Sequence, residues 1–135
     1  MRYRSFRTLI IFFPLLISFS CMNNSLQFEY ADGNGNIYTI TSSTLSYIPL
    51  KPEESSSGTY SGGSAKSIPI TADEFGQIST ILMKAVNNKA SHISDRVMMS
   101  GAISVIDGSN KKRYVIAPGS VEQKDIESTL KEILL

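Results

Sequence analysis

The chain has 135 residues, a formal net charge of +1 and a single cysteine. A chain of this length forms one domain with its own hydrophobic core. The balance of 13 basic against 12 acidic residues gives no broad basic field, which argues against nucleic acid as a partner. One cysteine allows no internal disulfide, so the fold depends on packing.

The first 20 residues have the pattern of an export signal. Arg2, Arg4 and Arg7 supply positive charge, and an apolar run of nine residues follows at positions 9–17. Pro14 interrupts that run, and a bilayer-spanning helix needs roughly 20 apolar residues. We therefore predict that residues 1–20 are a signal peptide rather than a permanent membrane span.

Cys21 follows this segment directly. The stretch ISFSC at positions 17–21 resembles the lipobox of bacterial lipoproteins, in which the cysteine is lipidated and becomes the mature N-terminus. The resemblance implies export and anchoring to a bacterial membrane through several acyl chains on Cys21. The outer membrane is favoured, because Met22 rather than aspartate follows. The alternative is an ordinary secreted protein that is cleaved nearby.

The mature chain is predicted to begin with a short tether and to continue as one domain. Residues 1–20 hold three of the basic side chains and no acidic one, so the remaining 115 residues carry a net charge of −2. Residues 21–25 form the lipidated tether, which extends the chain by at most ~14 Å after the cysteine. Residues 26–135 form the domain.

Three strands are predicted at the start of the domain. Alternating apolar residues at 26–30 and a β-branched, aromatic run at 37–41 flank the turn sequence DGNGN at 32–36, which predicts a hairpin. The oxygen-bearing side chains of this turn are also spaced like the opening of a calcium loop. The glycine and the closing glutamate that such a loop needs are absent, so the hairpin is favoured. A third strand is predicted at 45–48.

The second half predicts a helix, two strands and a second helix. Thr71 and Glu74 form a capping box, and the apolar residues after it fall on one helical face. Strands are predicted at 96–106, with Gly101 inside, and at 113–117, joined by a turn at 107–110. A second capping box at 120–123 starts the last helix. The order βββαββα predicts an α+β fold, in which an antiparallel sheet of about five strands carries both helices on one face.

No pattern for catalysis, a cofactor or a metal emerges. His92 is the only histidine and is predicted to be an exposed loop residue, although Asp95 and many serines allow a triad to be written. One histidine and one cysteine cannot supply the ligands of a zinc site. Gly63 and Lys66 are not contiguous, as a phosphate-binding loop requires. We predict a non-enzymatic protein without cofactor or metal.

The segment at 51–67 is predicted to be a Ser/Gly-rich surface loop. Six serines and three glycines between positions 53 and 67 cannot bury a core, and a flexible connection is one interpretation. The other starts from Tyr60, because a rigid amphipathic ring among small residues is typical of recognition loops. The candidate partner-binding residues on that interpretation are Ser57, Gly58, Tyr60, Gly62 and Gly63.

Two resemblances concern this loop. The sequence SSSGTYSGG at 55–63 resembles a segment of small uncharacterised bacterial lipoproteins, which implies a location and no activity. The stretch from Ser56 to Tyr60 is similar to the Ser-Gly-x-x-Tyr loop of lysozyme-inhibitor lipoproteins, which insert it into the lysozyme active site. We therefore expect a lipid-anchored envelope protein that binds a protein partner or has a structural role. The alternative is an inhibitor of a lysozyme-type cell-wall hydrolase that acts through the Tyr60 loop.

Overall fold

A six-stranded antiparallel sheet forms the frame of the protein, with the strand order β4-β3-β2-β1-β5-β6. The computed structural model describes residues 25–135; the predicted signal peptide and Cys21 lie outside this range. The elements are β1 (Gln27–Ala31), β2 (Ile37–Ile40), β3 (Thr44–Ile48), β4 (Lys66–Pro69), α1 (Ala72–Asn87), β5 (Gly101–Asp107), β6 (Asn110–Ile116) and α2 (Val121–Leu134), with short 3₁₀ helices at Pro52–Glu54 and Lys89–Ser91.

One face of the sheet and both helices share the hydrophobic core. Phe28 and Tyr30 alternate along β1 and are fully buried. The ring of Phe28 lies 6.4 Å from that of Phe75 on α1, and the Tyr30 hydroxyl donates to Glu127 on α2. Both helices therefore cover the same face, and the predicted α+β class is confirmed. Among residues 25–135, no helix covers the opposite face of the sheet.

The sheet has one strand more than the predicted five. β4 follows the Ser/Gly segment and pairs with β3, so that Ile68 lies opposite Leu45. Proline is unfavourable inside a sheet, because its backbone nitrogen has no hydrogen to donate to a neighbouring strand, and Pro69 ends β4. At the edge of a sheet that missing donor has no cost, and β4 is an edge strand.

Helix α1 forms as its sequence predicts. The Thr71 hydroxyl accepts from the amide of Glu74, and the Glu74 carboxylate accepts from the amide of Thr71, which confirms the capping box. The hydrogen bond from the Thr71 amide to the Glu74 carboxylate lowers the pKa of Glu74. Close packing against another element does not explain Gly76, because no atom outside the adjacent backbone of α1 lies within 4 Å of the position that a Cβ would occupy there.

Helix α2 is capped differently from the prediction. Ser120 accepts from the amide of Gln123, as expected. The Gln123 side chain does not return to Ser120, however; its oxygen accepts from the amide of Gly119 at 2.8 Å. Its Nε2 is thereby free to donate to the carbonyl of Met99, 3.0 Å away.

The strand predicted at 96–106 is wrong in its first half. β5 begins at Gly101, and residues 96–99 form an irregular connection. A Cβ at position 101 would lie 2.7 Å from the Tyr30 hydroxyl, so glycine is needed for the close approach of this ring to the backbone of β5. β6 begins at Asn110, earlier than predicted, because the turn needs only Gly108, with φ +58°, and Ser109.

Candidate functional site

Three loops meet at one end of the sheet. They are the β1–β2 turn (32–36), the Ser/Gly segment (51–65) and the connection before β5 (94–100). A groove of about 260 Å³ lies between them, and each loop contributes to its walls. We call these three loops together the three-loop surface. The groove is lined by Gly33, Asn34, Leu50, Ser55, Ser56, Ser57, Tyr60, Met98 and Met99.

The β1–β2 turn is organised by two buried side chains. One oxygen of the Asp32 carboxylate accepts from the backbone amides of Asn34 and Asn36, both at 2.9 Å. Its other oxygen accepts from the Asn36 side-chain amide at 2.8 Å. Asp32 is only 6% exposed, and its oxygens are occupied by N–H donors. The predicted hairpin between β1 and β2 is confirmed.

The Ser/Gly segment is held against this turn by hydrogen bonds. The Asn36 side chain donates to the Tyr60 hydroxyl at 3.0 Å and accepts from the Leu50 amide at 2.9 Å. The amide of Gly62 donates to the Leu50 carbonyl at 3.0 Å, and its carbonyl accepts from the Tyr47 hydroxyl at 2.7 Å. A flexible connection does not account for these bonds, because each fixes a point of the loop to the sheet.

The five predicted partner-binding residues occupy two kinds of position. Ser57, Gly58 and Gly63 are exposed, and both glycines have φ values of the left-handed region, +68° and +93°. Tyr60 and Gly62 are half-buried and take part in the anchoring bonds. A Cβ at position 62 would lie 2.1 Å from Asn36 Oδ1, so only glycine fits there. The exposed tip of the loop is therefore formed by small residues, with Tyr60 beneath it.

Three tyrosine rings continue from the loop into the core. The ring centroids of Tyr30 and Tyr38 are 6.0 Å apart, and those of Tyr38 and Tyr47 are 5.0 Å apart. Burial is the main cause that raises the pKa of all three hydroxyls. They stay protonated at neutral pH, so Tyr47 remains able to donate to the Gly62 carbonyl.

The connection before β5 presents apolar side chains that the sequence did not point to. Met98 is 88% exposed, and Val97 and Met99 are each about half exposed. The strand predicted at 96–106 includes Val97, Met98 and Met99, and in a strand alternate side chains would be buried. The signal against a strand was the absence of alternation in this run, followed by Ser100 and Gly101.

Met99 is held in an unusual backbone conformation. Its φ is +65°, the only positive value of a non-glycine residue among those described. Gln123 donates to its carbonyl at 3.0 Å. A Cβ on Gly33 would lie 2.6 Å from that carbonyl oxygen, so glycine is needed for the close approach of the two loops. The conformation is thus imposed by contacts from α2 and from the β1–β2 turn.

His92 is not the exposed loop residue that was predicted. It is half-buried, its Nε2 lies 2.9 Å from the Ala85 carbonyl oxygen, and its ring lies 5.5 Å from that of Tyr114. Within residues 25–135, neither a serine hydroxyl nor a carboxylate hydrogen-bonds the ring. Its role there is to close the end of α1 onto β6, where it forms an isolated bridge with Ile116.

The described residues contain no group of three or more His, Cys, Asp or Glu side chains that could hold a metal ion. No helix between residues 25 and 135 has the length and apolar character needed to cross a bilayer. The predicted lipidation site, Cys21, lies outside this range and stays a prediction.

No protein-family profile matches this chain, and neither does a curated protein or a solved structure. The function must therefore be argued from the geometry of the chain itself.

Proposed function

We propose that this protein is a lipid-anchored protein of the bacterial envelope that binds a protein partner through the three-loop surface and is not an enzyme. The observation that carries the proposal is the exposure of Met98, at 88%, in a loop whose path is fixed. Apolar side chains that remain exposed in a group mark interaction sites, and methionine adapts well to a partner surface.

Rigidity supports a binding role for this surface. The Asn36, Gln123 and Gly62 contacts fix all three loops before any partner arrives. A surface that is already ordered loses less conformational entropy on association than a flexible one. The apolar side chains beside the exposed serines of the Ser/Gly segment give the mixture of an apolar centre and a polar rim that interfaces have.

The location rests on the N-terminal sequence. The signal-peptide pattern and the lipobox-like ISFSC support export and acylation of Cys21. Mass spectrometry of the mature chain tests this directly, and we expect an N-terminal cysteine with attached acyl chains. A mature N-terminus without fatty acid would remove the anchor from the proposal and leave the binding surface as it is.

Co-purification from envelope extract tests the binding surface. Met98→Asp places a charge on the most exposed large apolar side chain of the surface, and Leu135→Asp places the same charge on an exposed apolar side chain at the C-terminal end of α2. We expect Met98→Asp to lose a partner that the wild type and Leu135→Asp both retain. If both variants retain the partner equally, the three-loop surface is not its binding site.

The lysozyme-inhibitor alternative has its own test. The Tyr60 hydroxyl accepts from Asn36 and the residue is half-buried, whereas the Ser57–Thr59 turn is exposed, so insertion into an active site would rely on that turn. Lysozyme activity should be unchanged by an excess of the protein if the binding role holds. Inhibition that Gly58→Asp abolishes would favour the alternative instead.

A further inference from the structure

A second cavity lies on the open face of the sheet, away from the helices. Alternation along each strand places Ala31, Ala102 and Ser104 on this face, since their neighbours Tyr30 and Ile103 are in the core. These three small residues form the floor of a cavity of about 200 Å³. Arg96 and Arg113 both line it.

The register of the sheet brings the polar members of the cavity into one row. Ser104 on β5 lies opposite Glu29 on one side and opposite Arg113 on the other. Arg96 comes from the connection before β5, and its Nη2 donates to the Asp32 carbonyl oxygen at 3.1 Å. That bond uses one of the five guanidinium donors of Arg96 and fixes its position over the cavity.

The charge of the cavity is positive. The Glu29 carboxylate is paired with Lys111 Nζ at 2.6 Å, so this acidic side chain is already neutralised. Arg113 has neither an ion pair nor a side-chain hydrogen bond within residues 25–135. Arg96 and Arg113 are exposed residues, and among residues 25–135 neither of their guanidinium groups is paired with a carboxylate at this cavity.

Ser104 adds an unused donor. The residue is only 5% exposed and lines the cavity. No buried side-chain oxygen or nitrogen among residues 25–135 lacks a hydrogen-bond partner, so the Ser104 hydroxyl, which has no protein partner there, keeps some contact with the open space of the cavity. A hydroxyl on the cavity floor between two arginines is placed to donate to an anion that enters from the open face.

We propose that this cavity binds a phosphate group. Two guanidinium charges balance the two negative charges of a phosphate monoester, and guanidinium groups bind phosphate oxygens through paired N–H donors. The Ser104 hydroxyl supplies a further donor. The volume is below the 300–1,000 Å³ typical of pockets that enclose a whole ligand, so the cavity holds a phosphate and the atoms next to it. The cavity shares Arg96 with the connection before β5, but the proposal does not require that a protein partner binds the three-loop surface.

Titration of the full chain with inorganic phosphate tests the site, with the amide resonances of Ser104 and Arg113 followed by NMR. We expect saturable shifts at both positions and weaker binding as sodium chloride is raised. Loss of a charge-assisted hydrogen bond should weaken binding by about tenfold or more in Arg113→Gln. Arg113→Lys keeps the charge without the paired donors, so its affinity for phosphate should lie between that of the wild type and that of Arg113→Gln.

Lys112→Gln is the matched control, because it removes the same charge one residue away on the other face of β6. We expect its affinity for phosphate to match that of the wild type, and both variants should unfold at the wild-type urea concentration. Equal weakening by Arg113→Gln and Lys112→Gln, shifts that never saturate, or equal competition by acetate would each overturn the proposal.

Two sources of the phosphate are distinguished by the probe. Glycerol 3-phosphate represents a soluble phosphate monoester, and vesicles of phosphatidylcholine with phosphatidic acid present the same group at a lipid surface. Binding of the soluble probe that depends on Arg113 assigns the site to a soluble ligand. Arg113-dependent binding to the vesicles alone assigns it to a lipid headgroup. Binding of neither would count against the site.

Discussion

The side-chain amide of Asn36 donates to the hydroxyl of Tyr60 at 3.0 Å, across 24 positions of the sequence. The oxygen of the same side chain accepts from the backbone of Leu50, so one buried residue of the β1–β2 turn holds both the start and the middle of the Ser/Gly segment. The segment is therefore shaped by a residue that lies outside it.

The two partners should contribute unequally to stability. Asn36→Ala leaves the Leu50 amide and one oxygen of the buried Asp32 without a partner, and we expect a loss of about 3 kcal/mol in the free energy of unfolding. Tyr60→Phe keeps the ring and removes only one acceptor, which should cost about 1 kcal/mol or less. Urea denaturation measures both.

The double variant Asn36→Ala/Tyr60→Phe is the control for this coupling. Once the Asn36 donor is gone, removal of the Tyr60 hydroxyl should cost almost nothing further. Strict additivity of the two losses would show that the hydrogen bond between them does not contribute to stability.

Gly33→Ala should loosen the three-loop surface. A Cβ at this position would meet the backbone of Met99 at 2.6 Å, and a backbone contact cannot be relieved by a side-chain rotation. We expect a loss of about 1–3 kcal/mol in the free energy of unfolding, as for other overpacked sites. Partner binding, measured by co-purification, should fall as well, because the connection that carries Met98 must move. Unchanged stability with unchanged binding would contradict this account of Gly33.

Gly76→Ala should have the opposite sign. Gly76 lies inside α1 and has a helical backbone, and no atom outside the adjacent backbone of α1 lies within 4 Å of a Cβ at its position. Alanine loses less backbone entropy on folding than glycine, so we expect a gain of about 0.5–1 kcal/mol in the free energy of unfolding. Thermal denaturation followed by far-ultraviolet circular dichroism would show a higher midpoint. A lower midpoint would mean that α1 packs against something at this position after all.

Tyr30 makes the fold sensitive to alkaline pH. Burial, with the neighbouring Glu127 carboxylate, raises the pKa of Tyr30 in the folded state. In the unfolded chain a tyrosine titrates at about 10. The stability that depends on its protonated form is therefore complete below about pH 10 and is lost as the pH rises above it, at up to about 1.4 kcal/mol per pH unit.

Tyr30→Phe removes this titration. The free energy of unfolding, measured in urea between about pH 9 and about pH 11, should fall less steeply for the variant than for the wild type. The variant will start from a lower value, since the hydrogen bond to Glu127 is lost. Parallel curves for the two proteins would show that another group causes the alkaline loss.

Local patterns were sufficient for the elements whose partners are near in sequence. The Asn-Gly turn predicted the β1–β2 hairpin, and the Thr71–Glu74 box with its apolar stripe predicted α1, because each depends on contacts a few residues apart. The capping box predicted at 120–123 is correct for the Ser120 hydroxyl, which accepts from the Gln123 amide, and wrong for the Gln123 side chain. Gln123 Oε1 accepts from the Gly119 amide instead of the Ser120 amide, while its Nε2 donates to the carbonyl of Met99, which is 24 positions away in sequence and close only in the fold.

The sequence by itself determined the α+β class, the two helices and the hairpins, since these follow from the period of apolar residues and from turn chemistry. Only the tertiary structure decided that residues Lys66–Pro69 become an edge strand and that His92 is half-buried. It also decided that Met98 is exposed and that Arg96 and Arg113 line one cavity. These outcomes depend on which distant segments lie side by side. Strand register and loop contacts fix that through long-range packing, which no local run of residues encodes.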